Sequence, residues 1–371
     1  MQRALASTRD PDRVSPSKHR RIRLMLVDDS TVARAVLARM IETDPEFEIS
    51  AVAGTAEAAV EALNEVRVDI VILDLEMPGQ GGLKLLPKII AAANGAKVMI
   101  VSTLAEEGAE QTLKALAQGA ADTLPKPGTG RFNGRFSEVL LGKLKALGYA
   151  TAIAAPQSSQ VRKLSDPRSL RAMANAPLGV LAIGASTGGI HALGVLFSNL
   201  PRKIHIPILV TQHLPAAFMP VFARQLSTIA HREVLVGEDG IQLRPDRIIL
   251  APGDANLTLV PDGRGTAVRL LAGRSASGCM PSVDPMLASV GALYGAAGLG
   301  VVLTGMGRDG VEGATKMVAA GGSIIAQDEA SCAVWGMPRA VIEAGLVAAV
   351  LAPDKIARRI AVLVEEPAPC K

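Results

Sequence analysis

The chain has 371 residues, 49% hydrophobic and 20% charged, which is the balance of a globular protein long enough for two or three domains with cores of their own. Its formal net charge of +4 is too small to force a nucleic-acid reading, and an aromatic share of 2% leaves few stacking platforms for single-stranded nucleic acid. No apolar run reaches the roughly 18 residues of a membrane helix, so direct membrane insertion is not expected.

Residues 1–21 concentrate Arg and Lys before any hydrophobic period and lack the apolar core of a signal peptide, so they read as a disordered basic leader. Residues 23–27 form an apolar strand that ends in Asp28-Asp29-Ser30. A helix over 31–41 follows, with Val32, Val36, Leu37 and Met40 on one face. The alternation continues as strand 48–53, helix 56–66, strand 69–73, helix 83–93, strand 97–102, helix 106–118, strand 121–124 and helix 136–147. Strand 69–73 is almost wholly apolar, as in a parallel sheet covered on both faces. Five βα units in succession predict one doubly wound (βα)5 domain over residues 22–148.

Residues 149–177 change to Ala, Ser, Gln and Pro, then to charged residues, and read as a linker. A second α/β domain over 178–367, doubly wound with a mostly parallel sheet, is predicted next. It opens with strand 178–183, which runs into Gly184-Ala185-Ser186-Thr187-Gly188-Gly189 and a helix to about residue 200. Strand 206–210 ends in Thr211-Gln212-His213, and helix 218–228 follows. Residues 233–273 are short strands joined by Asp/Pro/Gly turns. Helix 282–297 and strand 300–303 lead to Thr304-Gly305-Met306-Gly307-Arg308-Asp309-Gly310. Strand 323–326 and a C-terminal helix from residue 353 close the domain. Cys279, Cys332 and Cys370 are few, odd in number and unpatterned, which points to a reducing cytosol with no disulfide framework or zinc site.

Ligands of doubly wound sheets gather at the carboxyl ends of the strands. In the first domain those ends carry Asp28 and Asp29, then Asp74, then Ser102 and Thr103, then Lys126. Carboxylates converging there repel one another and call for a hard cation, and all-oxygen ligation favours Mg2+. A carboxylate beside Mg2+ can accept a phosphoryl group, which a hydroxyl and a lysine can then bind. The plainer reading, solvated carboxylates capping helices, suits an isolated Asp-Asp pair but not four positions arriving in order.

Residues 22–148 resemble a response-regulator receiver domain, through Val27-Asp28-Asp29-Ser30, Leu73-Asp74-Leu75-Glu76-Met77-Pro78, Val101-Ser102-Thr103 and Pro125-Lys126-Pro127. The resemblance implies that Asp74 is the phosphoacceptor. It implies that Asp28, Asp29, Asp74 and the carbonyl of Glu76 bind Mg2+, and that Thr103 and Lys126 sense the phosphoryl group. Where the family carries an Asp-Gly pair after the Met-Pro turn, this chain reads Gln80-Gly81-Gly82.

In the second domain Gly184-x-Ser186-x-Gly188 between strand and helix fits a nucleophile elbow, in which small neighbours allow a tight turn that projects a serine hydroxyl. By itself the pattern is weak, because Gly/Ser-rich turns at this place often bind phosphate. Of five histidines only His213 ends a neighbouring strand, where a base for Ser186 would sit. Asp309, in the glycine-rich loop at a third strand end, is the candidate orienting acid. The same loop also matches G-x-G-x-x-G through Gly305, Gly307 and Gly310, with Asp328 eighteen residues on. That dinucleotide fingerprint normally opens the first βαβ unit, and Asp309 would face the pyrophosphate. A non-enzymatic receiver-linked binding module and a dinucleotide oxidoreductase are the rival classes to a hydrolase.

Residues 178–350 resemble the catalytic domain of chemotaxis protein-glutamate methylesterases (CheB). The resemblance rests on Ile183-Gly184-Ala185-Ser186-Thr187-Gly188-Gly189, Gln212-His213-Leu214-Pro215, Pro281-Ser282-Val283-Asp284 and Leu303 to Gly310. It implies Ser186 as nucleophile, His213 as general base and then acid, and Asp309 as the orienting carboxylate. The Met306 backbone N–H would be an oxyanion donor, with Thr187 a second candidate. It further implies a cytoplasmic monomer, controlled by phosphorylation, that hydrolyses glutamate methyl esters and deamidates selected glutamines in chemoreceptor cytoplasmic domains. A chemotaxis histidine kinase would be the phosphodonor. Mg2+ would serve receiver phosphorylation, with no cofactor in the esterase step and no nucleic-acid partner.

Overall fold

The computed structural model describes residues 20–102, 106–126, 134–154 and 170–365. Most of the expected leader (1–19), the expected sensing residue Thr103 and residues 155–169 of the expected linker lie outside the described residues.

The first unit contains strands β1 (Ile22–Val27), β2 (Phe47–Ala53), β3 (Ile70–Leu73), β4 (Lys97–Ser102) and β5 (Asp122–Pro125). They alternate with helices α1 (Thr31–Ile41), α2 (Ala56–Glu65), α3 (Gly82–Ala92), α4 (Glu106–Ala117) and α5 (Gly134–Ala154). The strands are parallel in the order β2-β1-β3-β4-β5. Every residue of β3 is buried, so both faces of the sheet are covered, as its apolar run demands. Ser30 and Thr55 cap α1 and α2, their hydroxyls accepting the N–H of Ala33 and Ala58. Helix α5 runs to Ala154, seven residues past the expected end at 147 and into the segment read as linker. Gly148, a stop signal by residue type, stays inside the helix and packs against Ile22, where a Cβ would lie 2.5 Å from Cδ1, and residues 149–155 contain no Pro to end it.

The second unit begins with β6 (Val180–Ala185), α6 (Gly189–Asn199), β7 (Ile208–Gln212), α7 (Met219–Ala230), β8 (Val234–Val236) and β9 (Ile248–Leu250). An antiparallel hairpin of β10 (Asn256–Asp262) and β11 (Gly265–Leu271) follows, outside the main sheet. The chain continues through α8 (Val283–Tyr294), β12 (Gly298–Val302), α9 (Val311–Ala319), β13 (Ser323–Gln327) and α10 (Met337–Glu343). It ends in β14 (Ala349–Leu351) and α11 (Pro353–Glu365). The main sheet has seven parallel strands in the order β14-β13-β12-β6-β7-β9-β8.

Strand β6 comes first in the chain but lies inside the sheet, with β7 on one side and β12 on the other. Chain direction across the sheet therefore reverses at β6, which opens a crevice at the strands' carboxyl ends. Strands β6 and β7 both extend two residues beyond their apolar runs, because their pairing continues through Gly184 with Thr211 and Ala185 with Gln212. Ser186 and His213 thus follow directly on two paired strand ends. Helix α4 packs against α6 and α7, and one apolar cluster joins Leu113 and Leu116 of α4 to Ile190, Leu214 and Phe218.

Candidate active site

Ser186 sits between β6 and α6. Its N–H donates to the Thr304 carbonyl at 3.0 Å, which ties the turn to the loop after β12. Gly188 precedes α6 with φ 77°, a left-handed conformation that favours glycine, and a Cβ there would lie 2.4 Å from the Ala333 Cβ. The Gln212 side chain donates to the Ser186 carbonyl at 2.9 Å and fixes the turn from β7.

The Ser186 hydroxyl lies 3.1 Å from Nδ1 of His213, and His213 Nε2 lies 2.8 Å from an Asp309 carboxylate oxygen. With Nε2–H donated to the carboxylate, Nδ1 presents its lone pair to the serine. The ring is used in the opposite sense from the chymotrypsin-type arrangement, but with the same three roles available. Asp309 is 1% exposed and accepts three further hydrogen bonds: from Ser277 Oγ at 2.8 Å, Ser282 Oγ at 2.6 Å and the Val283 N–H at 2.7 Å. Burial alone would raise its pKa. The bonds from His213, Ser282 and Val283 outweigh burial and hold the carboxyl well below the usual carboxylate range. Asp309 also faces the N-terminus of α8, where a negative charge is favoured. At the second residue of that helix, burial and the nearby Asp309 charge push the Asp284 carboxyl up to about 6.

The loop after β12 brings its backbone against the nucleophile. A Cβ on Gly305 would lie 2.6 Å from the Ser186 Cβ and 2.4 Å from the Met337 sulfur, so only glycine fits this approach. Met306, the next residue, is 42% exposed. The Thr187 hydroxyl is engaged elsewhere: it donates to Asp122 Oδ2 at 2.7 Å, across to the first unit. The glycine loop thus delivers Asp309 to His213, and Asp328 accepts the Ser331 N–H within its own turn at 2.9 Å.

In the first unit, ligand atoms of Asp28, Asp29 and Asp74 all lie within 4.8 Å of one another. Lys126 Nζ reaches Asp74 at 2.6 Å and Asp28 at 2.9 Å. Burial pushes the Asp74 carboxyl up, with Lys126 offsetting part of the rise. Burial also disfavours the Lys126 cation, yet its hydrogen bonds to both carboxylates carry its pKa upward. The hard-oxygen donor set fits Mg2+. Where the receiver pattern has an Asp, the Gln80 N–H donates instead to Glu57 of α2 at 3.1 Å, which anchors the altered loop. The sequence reading did not single out Glu57, Gln212, Ser277, Asp122 or Lys143, because all of them act across long chain separations.

A cavity of about 450 Å³ opens on Ser186 and His213, and its opposite wall is Asp122, Thr123, Pro125 and Val139 of the first unit. Fold and site together define a serine-type hydrolase joined to a receiver. Comparison with known proteins gives the finer class. Residues 181–360 match the family model described as CheB methylesterase, and residues 24–131 match the response regulator receiver domain. The chain is 38% identical to "Protein-glutamate methylesterase/protein-glutamine glutaminase 1" of Paramagnetospirillum magneticum, over 91% of this chain and 94% of that one. It is 40% identical to "Protein-glutamate methylesterase/protein-glutamine glutaminase 2" of Caulobacter vibrioides, over 92% and 98%. The solved Thermotoga maritima CheB methylesterase catalytic domain is 35% identical, with a TM-score of 0.49 over 51% of this chain and all of that one. The chain belongs to the receiver-linked CheB protein-glutamate methylesterase family.

Proposed function

We propose that the chain hydrolyses glutamate methyl esters in the cytoplasmic domains of chemoreceptors, with Ser186 as nucleophile, and deamidates selected glutamines there by the same acyl chemistry. One observation carries the assignment of roles: the continuous line from Ser186 Oγ through His213 to a buried, four-fold hydrogen-bonded Asp309. His213 Nδ1 takes the serine proton as Oγ attacks the ester carbonyl, while Asp309 holds the ring and stabilises the imidazolium. The Met306 N–H is the donor for the oxyanion, and Thr187 N–H is a second. The imidazolium returns its proton to the leaving methoxide, and methanol departs. His213 then deprotonates a water, which cleaves the glutamyl-serine ester and regenerates Ser186. A glutamine side chain follows the same path, with ammonia as the leaving group.

Asp74 is the phosphoacceptor in this reading and a chemotaxis histidine kinase is the donor. Asp28, Asp29, Asp74 and the Glu76 carbonyl would hold Mg2+, which when bound neutralises charge on the incoming phosphoryl group. Lys126, paired with Asp74 before transfer, is placed to pair with the phosphoryl oxygens afterwards. Among the described residues no helix is long and apolar enough to cross a membrane. A monomer acting in the cytoplasm on the receptor's cytoplasmic part completes the proposal.

Methanol release from methylated receptor membranes tests it. The intact chain should release methanol, and Ser186→Ala should lose about 10³-fold or more while remaining folded. Near wild-type release by the folded variant would remove Ser186 from its role.

A further inference from the structure

We propose that His213, Cys279 and Asp309 form a binding site for a thiophilic divalent cation such as Zn2+, and that occupancy switches off Ser186. A ring nitrogen of His213, the Cys279 sulfur and a carboxylate oxygen of Asp309 all lie within 4.8 Å of one another. They come from three separate strand-end or loop segments, so no spacing pattern in the sequence announces them. The thiol is held in place by its own loop. Ser277 Oγ donates to Asp309 Oδ1 at 2.8 Å and accepts the Cys279 N–H at 3.4 Å, while Arg274 donates to the Gly278 carbonyl at 2.7 Å. Cys279 and His213 are half-buried, leaving a path from solvent, whereas Asp309 is buried.

Imidazole nitrogen, thiolate and carboxylate are all zinc donors, and three protein ligands leave a fourth position for water. The receiver's carboxylates offer oxygen only and suit a harder ion, so the two sites select different metals. Binding at Nε2 replaces the hydrogen bond to Asp309. The neutral imidazole then carries its single proton on Nδ1, facing Ser186 Oγ, and the Cys279 thiol releases its proton to solvent. Nδ1 keeps no lone pair for the serine proton, so attack on the ester is blocked.

The inhibitory consequence rests on the hydrolase reading, whereas the binding itself does not. The test uses the full chain with saturating Mg2+. Cd2+ is titrated while thiolate-to-metal absorption is followed, and Zn2+ is titrated against methanol release. Wild type should show the absorption band and lose activity, with activity restored by a chelator. Cys279→Ser should lack that band and keep its activity in the absence of Zn2+ and Cd2+. It should also need about 10-fold more Zn2+ or beyond for half inhibition, at least the loss expected when a metal's supporting shell is cut. Cys279→Ala should match it, which separates ligation from any effect of one replacement on folding. An equal band or equal Zn2+ sensitivity in folded Cys279→Ser would overturn the proposal, placing the metal elsewhere. A wild-type band with no methanol release even in the absence of Zn2+ and Cd2+ would instead count against the hydrolase reading alone.

Discussion

The Thr187 hydroxyl donates to Oδ2 of Asp122 at 2.7 Å, so the residue after the proposed nucleophile is bound by the receiver. Lys143 Nζ meets the same oxygen at 2.7 Å, and the Gly188 N–H donates to the Ala121 carbonyl at 2.7 Å. These contacts and α4 close one side of the Ser186 cavity. In the proposed reaction the receptor substrate would be a helix about 10–12 Å across. A helix of that width does not enter a cavity of about 450 Å³ walled by the receiver. We propose that the receiver has to move before a receptor segment can reach Ser186.

Asp122→Ala should then raise the rate of the unphosphorylated chain. Removing about 1.4 kcal/mol of bias towards a closed majority raises the open population, and with it the rate, about tenfold. Lys143→Met should act in the same direction and more weakly, since it leaves the Thr187 bond in place. Initial methanol release from the two variants, at equal concentration of folded protein, checks this. Unchanged or lower rates in both would mean that the contact does not hold the closed state.

Asp309→Asn should keep the fold and lower kcat on the order of 10⁴-fold, because the amide cannot hold the imidazole in the required tautomer. Ser282→Ala removes one of the four bonds to Asp309 and should cost less, about 10-fold, the order expected for losing one hydrogen bond to a charged group. Steady-state methanol release orders the two variants. A smaller loss for Asp309→Asn than for Ser282→Ala would contradict the assigned roles.

Gly305→Ala tests the close approach of loop and nucleophile. The added methyl would meet the Ser186 Cβ at 2.6 Å and the Met337 sulfur at 2.4 Å, so loop or serine must move. We expect about 1–3 kcal/mol of destabilisation from overpacking. A displacement near 1 Å at the serine should cost about 10²-fold in rate. Thermal unfolding and turnover measured together distinguish this outcome from a loop that yields freely, which would leave both unchanged.

The alternation of apolar strands and amphipathic helices made both sheets legible in the sequence, since a buried parallel strand leaves an unmistakable run such as Ile70–Leu73. The strand-end rule brought Asp28, Asp74, Ser186, His213 and Asp309 into view without any contact information. What it could not supply was pairing across the chain. Ser277 and Ser282 reach Asp309 from about 30 positions away, and Glu57 stands in for a carboxylate expected in the loop it supports. Asp122 reads as an ordinary residue at a strand start, yet its carboxylate joins the two units. Helix α5 overruns its expected end because Gly148 serves a close approach to Ile22 rather than a helix stop, and the expected role of Thr103 lies outside the described residues.

Asp74→Asn should abolish Mg2+-dependent labelling by a small phosphodonor such as acetyl phosphate, because it removes the attacking carboxylate while keeping its shape. Undiminished labelling would move the acceptor to Asp28 or Asp29, which share the pocket.

In the proposed regulation, phosphorylation at the edge of the five-stranded sheet frees a serine hydrolase on the seven-stranded one. Its most direct test is the initial rate of methanol release from methylated receptor membranes by the intact chain, with and without acetyl phosphate and Mg2+, alongside Asp74→Asn and Ser186→Ala. The rate should rise on phosphodonor addition, stay at the basal level in Asp74→Asn and be lost in Ser186→Ala under both conditions. A rate that ignores the phosphodonor in the wild-type chain, or rises equally in Asp74→Asn, would contradict it.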